Sequence, residues 1–246
     1  MLRTIVRVGL AALALLAPVP IAAQEPALEE LLARHYAAIG GLERWKAVGS
    51  LRLTGTMTAG PIRAPFVLVT KRPAKSRLDF MVRGRAGVQA FDGETAWIVM
   101  PVEGDGAPQR MPEEQAREMR EQSDFDGPLV DYRAKGHSIE LLGQDTIDGT
   151  PVHVLRVRLG SGEVRTYSID AEHWLPIRVN GTRNVRGSEV AFLTTFGDYR
   201  EVEGLVIPHS ISSVLQGTPA AQTLTVERVE VNVELPDSLF TMPSGS

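Results

Sequence analysis

"SLRLTGTM", residues 50–57, is where the chain changes period. Leu51, Leu53 and Met57 alternate with Arg52, Thr54 and Thr56. Alternation at every second residue gives a β-strand one apolar and one wet face. Such strands belong to antiparallel sheets, because strands of a parallel sheet are buried on both faces and read as continuous apolar runs. "SRLDFMVR", residues 76–83, repeats the pattern, with Leu78, Phe80 and Val82 set against Arg77, Asp79 and Arg83.

Before Ser50 the period is helical. In "LEELLARHYAAI", 28–39, Leu28, Leu31, Leu32, His35 and Ile39 fall on one helix face, and Gly40-Gly41 supplies a C-cap that needs no Cβ. A shorter helical piece, "LERWKAV", 42–48, follows.

After residue 83 hairpin signals recur at regular spacing. Asp92-Gly93 separates "VQAF" from "TAWIVM", Asp148-Gly149 separates "LLGQDTI" from "PVHVLRVRL", and Gly160 to Gly162 precede "EVRTYSID". "LPIRV", "EVAFLTTFGDY", "LVIPHSISSVL" and "TLTVERVEVNV" complete the series. The expectation is about eleven antiparallel strands in one uninterrupted domain, residues 24–246. One interruption breaks the series: "PEEQAREMREQSDFDGPLVDYRAK", 112–135, reads as a helical insert that Pro112 opens and Asp126-Gly127-Pro128 breaks before a second short helix.

The N-terminus carries Arg3 and Arg7, then "VGLAALALLAPVPIAA", then the polar "QEPALEE". This order is that of a secretory signal peptide, residues 1–23, cleaved near Ala23, and Pro18 and Pro20 leave the apolar run short of a spanning helix. The chain has no cysteine, so its core must hold without disulfides. Removing Arg3 and Arg7 moves the formal net charge from −4 to −6. Without a basic run, nucleic acid is not an expected partner.

Markers of catalysis are sparse. His35, His137, His153, His173 and His209 show no metal-ligand spacing, and no nucleophile elbow or phosphate loop is present. "DFDG", 124–127, fails as a calcium loop, because Gln122 and Arg133 stand where carboxylates are needed, so Asp124 and Asp126 read as turn and cap residues. Asp198, Glu201 and Glu203 near His209 could do acid/base work, but "GDYREVEGLVIPHS" reads better as two strands joined at Glu203-Gly204. No metal, cofactor or enzymatic activity is expected. A long one-sided sheet has to be covered by the helical segments. If it curls over them without filling the space, it encloses an apolar cavity suited to acyl chains.

"VTKRP" (69–73), then a strand, then "FDGETAWIVMP" (91–101) resembles the LolA/LolB-like superfamily of outer-membrane lipoprotein carriers. "GTPVHVLRVRLGSGEVRTYSIDAEHWLPIRV" and the ending "PDSLFTMP" (236–243) are similar to later parts of the same proteins. The resemblance implies a curved antiparallel sheet forming an unclosed half-barrel over an N-terminal helix and a mid-chain helical insert, with a cavity for lipid or lipoprotein acyl chains. It also implies that Arg72, the arginine of Lys-Arg-Pro, holds a helical lid and couples its opening to cargo release. An arginine fork suits that role, since it can donate to several acceptors at once.

On this reading the chain is a periplasmic, monomeric lipid carrier serving inner- and outer-membrane protein partners. Leu51, Leu53, Phe66, Leu68, Leu78, Phe80, Trp97, Val190 and Phe192 are the expected cavity lining. Alternatives are a lipid-sensing module that regulates a membrane protein partner and, less favoured, an envelope hydrolase using Asp198, Glu201 or His209.

Overall fold

The computed structural model describes residues 27–243, apart from 101–105, 125, 186 and 219. The expected leader and its cleavage point lie outside the described residues. Helix α1 (Leu28–Ala38) buries Leu31, Leu32 and His35, as its spacing predicts. It ends where Gly40 takes φ 104° and the amides of Ile39 and Gly41 return to the carbonyls of His35 and Tyr36. Gly40 also permits close approach, because a Cβ there would lie 2.0 Å from the carbonyl oxygen of Gly204. Helix α2 (Leu42–Ala47) follows.

The strands form one antiparallel sheet. β1 (Ser50–Ala59), β2 (Ile62–Lys71), β3 (Lys75–Val82), β4 (Arg85–Phe91), β5 (Ala96–Val99) and the two-residue β6 (Gln109–Arg110) step outward to one edge. The chain then crosses to the far edge through α3 (Glu113–Gln122) and returns along β7 (Ser138–Ile147), β8 (Thr150–Arg158), β9 (Val164–Asp170), β10 (Pro176–Val185), β11 (Ser188–Val202), β12 (Leu205–Leu215) and β13 (Gln222–Val231). β13 pairs with β1. The sheet is a curved half-barrel whose edge strands, β6 and β7, do not meet.

Thirteen strands replace the expected eleven or so; the shortest, β6, has too few residues to show a period. The second short helix expected in the insert is also absent. Residues 126–136 form consecutive turns, with Gly127, Asp131 and Gly136 at positive φ, and a left-handed residue at Asp131 interrupts a right-handed helix. The turns place Leu129, Val130 and Tyr132 in the interior.

Pairing propagates one face across the sheet. Leu53 lies opposite Leu68 and Val229, Leu68 opposite Leu78, and Phe66 opposite Phe80. On the other half, Phe196 lies opposite Ile211, Val179 opposite Tyr167, and Tyr167 opposite Leu155. α1 covers the second of these regions, where Leu31, Leu155 and Ile169 are 0% exposed. On the reverse face residues 233–243 cover β2 to β5, packing Leu235 and Phe240 on Val69 and Met242 near Trp97.

Candidate functional site

α3 is a polar helix with a narrow apolar stripe. Ala116 is buried, and with Met119 and Met111 it packs on Phe91 and Ala96. Five of the others, Glu114, Arg117, Glu118, Glu121 and Gln122, overhang the inner face of the sheet. Between them and the sheet lies a cavity of about 650 Å³ floored by Tyr167, Val179, Phe192, Phe196 and Leu215. That volume is within the ~300–1,000 Å³ typical of small-molecule sites.

Charge, more than apolar packing, fixes the far side of α3. Glu121 meets Arg165 of β9 at 2.6 Å, and Glu118 meets Arg183 of β10. Glu163 supplies a further carboxylate to Arg165 at 3.0 Å. Burial works against the charge on Arg165, but Tyr167, Glu163 and Glu121 outweigh it and raise its pKa. Burial also pushes the Tyr167 phenol up to about 12, so it stays neutral beside the guanidinium.

Beyond α3 the crossover is tied to the helices and to β2. The guanidinium of Arg72 donates to both carboxylate oxygens of Asp126 (2.6 Å each), to the Val48 carbonyl (2.6 Å) and to the Trp45 carbonyl (3.1 Å). Burial alone would raise the Asp126 pKa; the hydrogen bonds and charge of Arg72, aided by Lys135 and Lys46, lower it. Lys135 holds Asp124 at 2.6 Å and Lys46 holds Asp131 at 2.7 Å. The Ser76 and Ser123 hydroxyls meet at 2.5 Å where the end of α3 reaches β3.

Neither the protein-family models nor the curated proteins give a match to the sequence. Solved structures do. A protein of the DUF1329 family from Desulfovibrio piger superposes with a TM-score of 0.60 at 10% identity, over 87% of this chain and 97% of that one. A LolA superfamily protein from Nitrosomonas europaea gives 0.56 at 15%, over 85% and 96%. A domain assigned to outer-membrane lipoprotein sorting from Vibrio parahaemolyticus gives 0.56 at 16%, over 86% and 94%. The fold is LolA-like.

On this LolA-like sheet, Leu51, Leu53, Phe66, Leu68, Leu78 and Phe80 share the inner face. Leu53, Leu68, Leu78 and Phe80 remain partly exposed there, whereas Leu51 is buried beside Val48 and Leu205. Phe192 lines the cavity, and Val190 lies on the same face opposite Arg183. Trp97 does not belong with them. It pairs with Ala90, which pairs with Arg77, and so sits on the reverse face, 1% exposed, with its Nε1–H on the Phe240 carbonyl at 2.7 Å.

Asp126, read from sequence as a turn residue, is the carboxylate partner of Arg72. Arg165, Arg183, Glu118 and Glu121 were not singled out by sequence; two arginines in the inward register of strands were the available signal. Two of the hydrolase candidates are otherwise engaged: Arg200 donates to both carboxylate oxygens of Asp198 at 2.6 and 2.9 Å, and His209 is buried with its Nδ1 on the Ile207 carbonyl. Among the described residues no three metal-ligating side chains gather, and no helix is long and apolar enough to cross a membrane.

Proposed function

We propose that this chain is a periplasmic carrier that binds the acyl chains of a lipoprotein or another lipid in the half-barrel and transfers them toward the outer membrane. On this reading residues 24–246 are one lipid-binding domain, released from its leader near Ala23. The observation that carries it is the polar α3 lying over a cavity floored by Phe192, Phe196 and Leu215. The same inner face also carries Leu53, Leu68, Leu78 and Phe80, which the fold leaves partly covered. The LolA-like fold, shared with a protein assigned to lipoprotein sorting, supports the same reading.

Burial of an acyl chain stabilises the complex by about 0.8 kcal/mol per methylene, so the apolar surface alone gives useful affinity with no chemistry on the cargo. α3 is the lid, and the Arg72–Asp126 pair is its latch. Protein partners at the inner and outer membranes would load and unload the cargo.

The test is native mass spectrometry of the purified protein, before and after incubation with envelope lipids and a synthetic lipopeptide, with extraction of any bound species. A lipid or acylated peptide retained in the complex is the expected result. A protein that stays ligand-free under all of these conditions refutes the carrier and moves the weight to recognition of a membrane protein partner.

A further inference from the structure

The apolar floor accounts for an acyl chain but leaves unexplained why two arginines lie on it. Arg165 of β9 lies opposite Gly181 of β10 on the inner face, and Arg183 follows two residues further along β10. Their guanidinium carbons stand 6.0 and 5.9 Å from the Phe192 ring centroid, so both cations face one aromatic ring. Gly181 makes the space, because a Cβ there would fall 3.2 Å from that ring and 3.4 Å from the Arg165 side chain.

The Nε–H of each arginine is buried and has no hydrogen-bond partner among the described residues. Leaving a buried donor without an acceptor is costly, so these sites favour an additional acceptor. Much of their present neutralisation comes from the lid: Glu118 and Glu121 belong to α3, and among the described residues the other carboxylate paired with them is Glu163, just before β9. With α3 withdrawn, two guanidiniums face the cavity against one carboxylate.

We propose that Arg165 and Arg183 bind the acidic headgroup, carboxylate or phosphate, of the lipid whose chain fills the cavity, and that Glu118 and Glu121 occupy the same positions when the cavity is empty. The lid thus imitates the headgroup, and headgroup binding and lid closure compete. A ligand favours the open lid only by what it gains there over the closed one, and the guanidiniums supply that difference. This inference rests on the lipid-carrier reading and names its ligand class.

The experiment is isothermal titration calorimetry with decanoate, decyl phosphate and decanol, which share a chain length and differ in headgroup. The wild-type protein should prefer the two acids to the alcohol. Glu118→Gln with Glu121→Gln removes the competitor and should tighten both acids about tenfold more than it changes decanol, equivalent to ~1.4 kcal/mol. Arg165→Met with Arg183→Met should bind all three alike, with circular dichroism confirming that it folds. Because the glutamine variant keeps the helix and both arginines, it decides the question even if the methionine variant does not fold.

A stronger response to the phosphate or to the carboxylate identifies the headgroup. An acid-to-alcohol ratio that the glutamine substitutions leave unchanged overturns the headgroup site while the carrier reading stands. Failure of all three probes to bind any protein overturns both.

Discussion

Arg72→Leu removes the latch while keeping an apolar stem, and its cost can be worked from the contacts. The side chains of Arg72 and Asp126 are 26% and 14% exposed, which puts the pair between two measured limits. An exposed ion pair contributes ~0.2–1 kcal/mol, and stripping one partner from a fully buried pair costs about 3–5 kcal/mol. The substitution also leaves the Val48 and Trp45 carbonyls without these donors. A loss of about 2–3 kcal/mol follows. Urea denaturation reads it directly, provided the slope is unchanged.

Asp126→Asn should cost less, because Arg72 keeps its two carbonyls, and the double variant should fall short of the sum by about 1–2 kcal/mol if the two side chains act on each other. The pair should also titrate. The Asp126 pKa is lowered below its ordinary 3.8, so the unfolded chain binds the proton more tightly. The latch's contribution is complete above that value and is lost as pH falls through it toward the lowered native pKa. In Arg72→Leu this part of the acid sensitivity should vanish. A change in stability within about 0.5 kcal/mol of wild type, the range of an ordinary surface substitution, would refute the latch geometry. A full loss of stability with an unchanged rate of lipid release would leave Arg72 structural and remove it from gating.

Trp97→Phe should cost about 1–3 kcal/mol by orphaning the Phe240 carbonyl, with faster proteolysis of the C-terminal segment and unchanged lipid affinity; weakened binding would return Trp97 to the cavity. Gly55 sits at the register shift between β1 and β13, where a Cβ would lie 2.0 Å from the Thr225 carbonyl oxygen. Gly55→Ala should therefore lower stability by about 1–3 kcal/mol or more in denaturant melts, and a neutral result would mean that the two strands separate there at little cost. His35 is buried with Nδ1–H on the Trp174 carbonyl, and burial lowers its pKa from 6.5 despite that bond. Stability should fall as pH drops below 6.5 toward the lowered native value, and His35→Asn should flatten that slope; a variant with the wild-type slope would locate the proton elsewhere.

Alternation at Leu51, Leu53 and Met57 was enough to place one face of the sheet, because pairing carries the face of one strand to all the others. The turns were legible for a similar local reason: Asp148-Gly149 and Glu203-Gly204 take positive φ at both residues, as two-residue hairpins require. What alternation does not say is which face looks inward. Trp97 was placed in the cavity lining with no signal for the direction of its face, and the reverse face at β2 to β5 is apolar as well, roofed by residues 233–243. Asp126 was missed for a different reason. Its partner lies 54 residues away, and a carboxylate beside a glycine reads locally as a turn. Residues 128–135 have helical composition, yet tertiary burial of Leu129, Val130 and Tyr132 sets their backbone.

The open half of the barrel follows from the one crossover in an otherwise sequential meander. A chain that runs from β1 to one edge and must re-enter at the other has to send its connection across the sheet, and here the connection contains α3. α1 is amphipathic and fills the half it covers, leaving Leu31 and Leu155 at 0% exposure. α3 presents Ala116 and Met119 to Phe91 and Ala96 and otherwise overhangs the sheet with Glu and Arg. A helix of that composition cannot drive its own collapse onto a hydrophobic floor, since packing of an amphipathic face supplies most helical stability in proteins. It is held at its margins by ion pairs and by the turn that Arg72 grips. An arginine held by a carboxylate can trade that carboxylate for another anion, whereas a Leu-lined helix would have closed the core for good. The polarity of residues 113–122, unpromising as a folding signal, is therefore what leaves the cavity available to a ligand.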